Sequence, residues 1–302
     1  MKIIFDTDIG TDVDDLVALA LLLNSPEIEL AGVTCVYGDV LMRARMALKL
    51  LRMRGRGEVP VTMGATKPLL GDRPIYRGAH EGRRFLEAED EALQPASEFA
   101  VNFIVRSVMD NPGQIHLLCI GPLTNAALAF RQEPRLAQNL AGGLTIMGGA
   151  FQRSADVYTD YGEYNIVSDP EAAHIVFSSG APITLIPLDV TTQVRVTSAD
   201  SARIRQAGTR FHQAVADQID LYSYFAARGW THMHDPLAAT ALIQPALVSL
   251  TPLHVDVETG GRFAAGVTFM RSPDADWPEN ARVALDVDVK GFEEFLIDRL
   301  TR

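Results

Sequence analysis

A chain of 302 residues that is 47% hydrophobic and 22% charged has ample material for a buried core, and its length fits one or two α/β domains. Its net charge of −11 and lack of a basic patch argue against nucleic-acid partners, and no apolar run is long enough to span a bilayer. Cys35 and Cys119 lie inside apolar strand-like runs and read as buried thiols; with Asp6 interrupting any apolar leader, the expected compartment is cytoplasmic.

In chain order, residues 2–5 form a short apolar strand. It runs into Asp6, Asp8, Asp12, Asp14 and Asp15, and residues 16–23 continue as a helix that Asn24-Ser25-Pro26 stops. Residues 28–35 give a strand and 40–53 a helix, whose cations from Arg43 onward are spaced among Leu and Met as the wet face of an amphipathic element. A short strand near 59–63 follows. The alternation predicts βαβ units, hence a mostly parallel sheet with helices on both faces, in the Rossmann-like manner. Ligands of such sheets bind outside the carboxyl ends of the strands, where the acidic loop lies.

Residues 66–95 are irregular and contain Gly78-Ala79-His80-Glu81-Gly82. Residues 96–109 read as helix, and 115–120 as a buried strand running into Gly121-Pro122-Leu123-Thr124-Asn125. A strand near 144–147 ends at Gly148-Gly149. A second irregular stretch, 150–168, carries Glu163-Tyr164-Asn165, and Asp169-Pro170 opens a helix with Asp169 as its cap. Residues 183–187 give a strand, 198–227 look helical throughout, and His234-Asp235-Pro236 follows a loop. Late strands at 253–258, 266–270 and 282–289 precede a closing helix at 291–301. With neither repeat nor linker, residues 1–302 read as a single α/β domain.

Stacking anions at a strand end gains no stability. Like charges about 4 Å apart cost roughly 1 to 4 kcal/mol per pair, and a hard cation held by carboxylate oxygens removes that cost. A solvated loop with Asp12 or Asp14 as helix cap needs one Asp, not five. Asp-x-Asp after an apolar strand also occurs in phosphatases of the haloacid-dehalogenase type, where the first Asp is the nucleophile. Here Gly10 stands where that pattern wants Thr or Val, and neither the later Lys nor the acidic pair is found.

Taken with Ile120-Gly121-Pro122-Leu123-Thr124-Asn125, Glu163-Tyr164-Asn165 with Asp169-Pro170-Glu171, and His234-Asp235-Pro236, the loop resembles that of the inosine-uridine-preferring nucleoside hydrolases, calcium-dependent N-ribohydrolases. The resemblance runs nearly the whole length. It implies the nucleoside hydrolase fold, a homodimer or homotetramer, and cleavage of purine or pyrimidine ribonucleosides to base and ribose. It also implies a Ca²⁺ held by Asp8, Asp15, Asp235 and the Ile120 carbonyl, with Asp8 deprotonating the calcium-bound water and His234 as leaving-group acid. By the same resemblance Asp14 and Asn165 bind ribose hydroxyls, Glu163 the 5′-hydroxyl, Met147 and Tyr164 line the sugar pocket, and His80 lies near the base. Residues of the 66–95 loop and of the stretch 222–232, including Tyr222, Phe225 and Trp230, are expected to set base preference and so to face the base.

The chain departs from the family pattern in several places. Its acidic loop is longer by two residues, so the role of Asp12 as a further substrate contact stays open. Asp39 stands where Asn is usual, Val157 replaces a ribose-binding Asn, and Thr159-Asp160 replaces Thr-Pro. Asp39 or Asp160 is a candidate for the missing 5′ bond, and an acidic pocket disfavours nucleotides. These departures also motivate a non-catalytic, calcium-dependent nucleoside-binding protein as an alternative.

Overall fold

The strands at the centre of the sheet are mostly apolar and buried on both faces, as a sheet covered on both sides requires. The computed structural model describes residues 1–75, 82–152 and 162–302. Its strands are β1 (Lys2–Thr7), β2 (Glu29–Cys35), β3 (Val61–Met63), β4 (Ala96–Phe99), β5 (Ile115–Cys119), β6 (Leu144–Met147), β7 (Ile183–Ile186), β8 (Arg195–Thr197), β9 (Trp230–His232), β10 (Val248–Val257), β11 (Thr268–Arg271) and β12 (Ala281–Val287). Ten of them form one sheet in the order β11-β10-β12-β7-β6-β5-β1-β2-β3-β4. All neighbours from β4 to β12 run parallel, while β10 is antiparallel to both β12 and β11. β8 and β9 pair antiparallel as a separate ribbon.

β1 shows why the sheet sits where it does. Ile3 and Phe5 point into one hydrophobic cluster, with the helices Asp14–Leu23, Val40–Met53 and Val289–Leu300. Ile4 points into the other, with the helices Ala100–Asp110, Thr124–Gln132 and Pro170–Phe177. The chain passes from β1 outward to β4 on one side, then returns to place β5 on the other. The carboxyl ends of β1 and β5 therefore flank the crevice where strand order reverses, the usual binding place of an open α/β sheet.

Three expectations are corrected. Residues 96–99 are a strand, and the helix begins at Ala100. The stretch 198–227 is broken into the helices Ser198–Gln206, Arg210–Leu221 and Ser223–Arg228. Gly208, at φ +86°, and Thr209, which caps the second helix by accepting from the His212 N–H, make the first break; Tyr222, extended at ψ 126°, makes the second. Arg43, expected on a wet helix face, is 1% exposed. Both cysteines are free and buried, as expected. Among the described residues no helix is long and apolar enough to cross a membrane.

Candidate active site

β1 delivers the acidic loop into the crevice. Thr7 at its end donates from Oγ1 to Asp15 Oδ1 at 2.5 Å and accepts from the Ile9 N–H at 3.0 Å. Gly10, at φ +112°, gives the loop a turn that residues with a side chain rarely adopt. Asp14 and Asp15 then open the helix Asp14–Leu23, and Asp235 lies in the first turn of the helix His234–Ile243. The two helix starts meet: the Asp235 N–H donates to Asp14 Oδ2 at 3.1 Å. Asp14, Asp15 and Asp235 are all buried, and a carboxylate oxygen from each lies within 4.8 Å of the others. Ile120 follows β5, and its carbonyl accepts from Asn165 Nδ2 at 2.9 Å, while the same amide reaches the Met147 carbonyl at 3.2 Å.

Arg43 holds the loop from behind. Its guanidinium donates to the carbonyls of Asp8, Ile9 and Tyr37 and to Thr11 Oγ1, and lies 3.9 Å from Asp8 Oδ2. Asp6 points away into the sheet, where Asn125 Nδ2 donates to its Oδ1 at 2.8 Å and the Thr34 hydroxyl donates to the same atom. With 0% exposure and its Oδ1 held by Asn125 and Thr34, Asp6 is not presented to the crevice, where the phosphatase alternative needs its nucleophile.

The electrostatics ask for a cation. Burial, then the negative charge of neighbouring carboxylates, pushes Asp14, Asp15 and Asp235 well above the usual carboxylate range. Asp8 is also raised by burial, against the pull of Arg43. Its Oδ2 is buried with no hydrogen-bond partner. An orphaned carboxylate oxygen beside three others, with a carbonyl nearby, is an all-oxygen donor set that fits a hard dication such as Ca²⁺.

Above the carboxylates opens a cavity of about 320 Å³, within the range of small-molecule sites. Glu163 contributes to its lining, with its carboxylate fixed by the N–H groups of Asn165, Ile166 and Gly149 at 2.8, 3.1 and 3.1 Å. Burial raises Glu163 to about 7. Another wall is aromatic: the Arg228 guanidinium lies 5.5 Å from the Tyr224 ring centre and 5.6 Å from that of Trp230. His234 Nδ1 is 2.7 Å from Thr191 Oγ1, and burial lowers the ring to about 3, so it is neutral at pH 7.

Most site residues expected from sequence meet here. Asp8, Asp12, Asp14, Asp15, Ile120, Met147, Glu163, Tyr164, Asn165, Trp230, His234 and Asp235 line one cavity, as does Tyr222. Asp39 is not among them: it is exposed and caps the helix Val40–Met53, accepting from the Met42 N–H at 3.0 Å. Phe225 is buried in the hydrophobic core. His80, Val157, Thr159 and Asp160 lie outside the described residues. The tight carboxylate group contains Asp14, which the resemblance gave to the sugar, and not Asp8. Sequence reasoning missed Thr11, Arg228 and His232 in the lining, and Arg43 behind it. Arg228 and His232 lie in the stretch expected to face the base, but nothing local sets them apart; Arg43 carried no signal at all.

Comparison with known proteins agrees with this geometry. The inosine-uridine preferring nucleoside hydrolase family model matches residues 3–294. An uncharacterized protein of Schizosaccharomyces pombe is 36% identical over 320 residues, covering 100% of this chain and 99% of that protein. The pyrimidine-specific ribonucleoside hydrolase RihA of Enterobacter sp. strain 638 is 34% identical, covering 100% of this chain and 98% of the enzyme. Among solved structures, a purine-preferring ribonucleoside hydrolase from Gardnerella vaginalis superposes with a TM-score of 0.88 at 32% identity, covering 100% of this chain and 98% of the other. A plant nucleoside hydrolase gives 0.89 at 30% identity, covering 99% and 98%. Sheet order, buried carboxylates and full-length similarity agree, and this chain belongs to the inosine-uridine preferring nucleoside hydrolase family, hydrolases of N-glycosyl bonds.

Proposed function

We propose that the protein is a calcium-dependent nucleoside N-ribohydrolase that releases free base and ribose. The observation that carries this reading is the group of buried carboxylates under a cavity with one aromatic wall. Asp8, Asp15, Asp235 and the Ile120 carbonyl would hold the ion, and Asp14 would bind a ribose hydroxyl. Calcium bound there supplies positive charge that acidifies a water molecule and fixes ribose hydroxyls.

The chain's own groups do the rest. The Asp8 carboxylate, buried and with Arg43 Nη2 3.9 Å from its Oδ2, takes the proton of the attacking water as the water oxygen bonds to the anomeric carbon. The N-glycosidic bond breaks, and its electron pair leaves with the base nitrogen. Surrounding carboxylates stabilise the positive charge that develops on the ribosyl ring only in the transition state. Asn165 and Glu163 orient the sugar from a hydrogen-bonded framework. In the tautomer where the Thr191 hydroxyl donates to His234 Nδ1, the ring proton sits on Nε2. From there a neutral imidazole hydrogen-bonds the departing base and stabilises its developing negative charge. The proton on the released base comes finally from solvent. Relatives named for purines and for pyrimidines are similarly close, so both base classes belong to this proposal. A homodimeric or homotetrameric state and a cytoplasmic location are part of it too.

The test is release of base and ribose from common nucleosides, measured with calcium and with a chelator. Loss of activity on chelation, restored by calcium, is the expected result, along with a fall of at least about 10²-fold in Asp8→Ala. Full activity in Asp8→Ala refutes the mechanism. Tight binding without product identifies a nucleoside-binding protein instead.

A further inference from the structure

The acidic loop is two residues longer than the form usual in the family, and the added length has a definite destination. Thr11 accepts from Arg43 Nη2 at 2.8 Å, and it lines the cavity together with Tyr164. Asp12 crosses the cavity in the other direction: the Tyr222 hydroxyl donates to its Oδ2 at 2.6 Å, and its Oδ1 accepts from the Val13 N–H. Tyr222 stands at the break between the helices Arg210–Leu221 and Ser223–Arg228, with its ring 5.5 Å from that of Tyr224. Asp12 and Tyr222 both line the cavity. The pair thus bridges the carboxylate floor, which the proposed function gives to the sugar, and the aromatic wall, which faces the base.

Hydrogen-bond polarity decides what this bridge accepts. A carboxylate offers only lone pairs, and a phenol has a single proton. With that proton directed to Asp12, the phenol is engaged and the carboxylate still presents acceptor lone pairs to a ligand. A ligand atom that is itself an acceptor leaves partly buried oxygens facing another oxygen; a donor satisfies them. Sites built on such groups discriminate far better than apolar pockets do.

We propose that the Asp12–Tyr222 pair is the specificity device of this site, selecting nucleosides that present a hydrogen-bond donor to the Asp12 carboxylate. Cytosine and adenine carry an exocyclic amino group where uracil and hypoxanthine carry a carbonyl oxygen, so the amino bases are the favoured class. The sugar's own 5′-hydroxyl is the other donor with the same chemistry. This inference rests on the reading of the cavity as a nucleoside site.

The experiment compares kcat/KM across matched substrates in wild type, Asp12→Asn and Tyr222→Phe at saturating calcium. Cytidine against uridine and adenosine against inosine read the base; uridine against 5′-deoxyuridine reads the sugar. Wild type is expected to favour the donor-bearing member by about 10- to 100-fold, the size of a hydrogen bond to a charged group. Asp12→Asn, which puts an N–H in place of one oxygen, collapses or inverts that ratio. Tyr222→Phe reduces it less, and carries the test should Asp12→Asn fail to fold. A change confined to the base pairs assigns the amino group, and one confined to the sugar pair assigns the 5′-hydroxyl. Equal losses on every substrate with ratios unmoved overturn the proposal. If wild type turns over no nucleoside, calorimetric Kd ratios for the same pairs replace the kinetics: a preserved donor preference then upholds the pair while removing the hydrolase, and absence of binding removes both.

Discussion

His116 lies in β5, well away from the cavity, with Nδ1 3.0 Å from the Ala141 carbonyl and Nε2 3.0 Å from Thr145 Oγ1. Burial is the larger cause and lowers its pKa below the ordinary 6.5. As pH falls through about 6.5 the unfolded chain binds a proton that the folded chain refuses, so stability drops from there down to the folded-state value. Above about 6.5 both states are neutral and the residue adds no slope. His116→Gln is therefore expected to flatten the decline of the urea midpoint between pH 6.5 and 5 relative to wild type; parallel curves count against it. Single residues of this kind were only partly legible. Asp8 and Asp15 stood out because several anions in one place need a reason; Asp235, which locally reads as a helix cap before Pro236, was reached only through the family resemblance. Arg43 did not stand out, because a cation at helical spacing among Leu and Met has the same pattern whether it faces water or, as here, three oxygens of the acidic loop and the Tyr37 carbonyl.

At the scale of elements, the helix Val40–Met53 is coupled to the loop after β1 through that one guanidinium. It directs its N–H groups to three carbonyls and a hydroxyl, a fork that the point charge of lysine cannot reproduce. Arg43→Lys is expected to keep the fold and lose calcium affinity by roughly 10- to 100-fold, the usual cost of removing a group that holds the ligands in place. Calorimetric titration with calcium, beside a circular dichroism spectrum, measures both; unchanged affinity contradicts the role. Element identity was readable wherever β1-like runs are apolar on both faces, and the carboxyl ends of β1 and β5 fell where parallel topology requires. The break at Tyr222 was not readable. No Gly or Pro marks it, and the extended turn is fixed by contacts to a loop some 210 residues earlier in the chain, including the bond to Asp12.

For the molecule as a whole, the carboxylate group is a local cost that a bound ion reverses. Any ligand that binds only the folded state stabilises it, by about 2.7 kcal/mol when present at 100 times its Kd. Calcium is accordingly expected to raise the unfolding midpoint by several degrees, with a smaller rise in Asp15→Asn and Asp235→Asn; calorimetric scans with calcium and with chelator decide it. Potassium at equal ionic strength serves as the control for screening, since exposed ion pairs respond to it as well. Equal shifts with both salts oppose a specific site. The overall architecture followed from the alternation of strands and helices. The assembly of the site did not follow from that alternation, because its parts come from β1, β5, β6 and the helix beginning at His234, and only full-length resemblance linked them beforehand.

The hydrogen bond from the Asp235 N–H to Asp14 joins positions 221 residues apart. That separation sets an order of events during synthesis. The first fifteen residues carry most of the acidic oxygens, yet they emerge long before the partner that closes the group. Until the helix His234–Ile243 has been made and has docked, the loop after β1 is an open, self-repelling arc with only part of its ligand set. On the proposed function ion capture would be a late step, timed by the completion of the chain's final third, and an interrupted chain ending before residue 235 lacks the clasp, however well its first strands have paired.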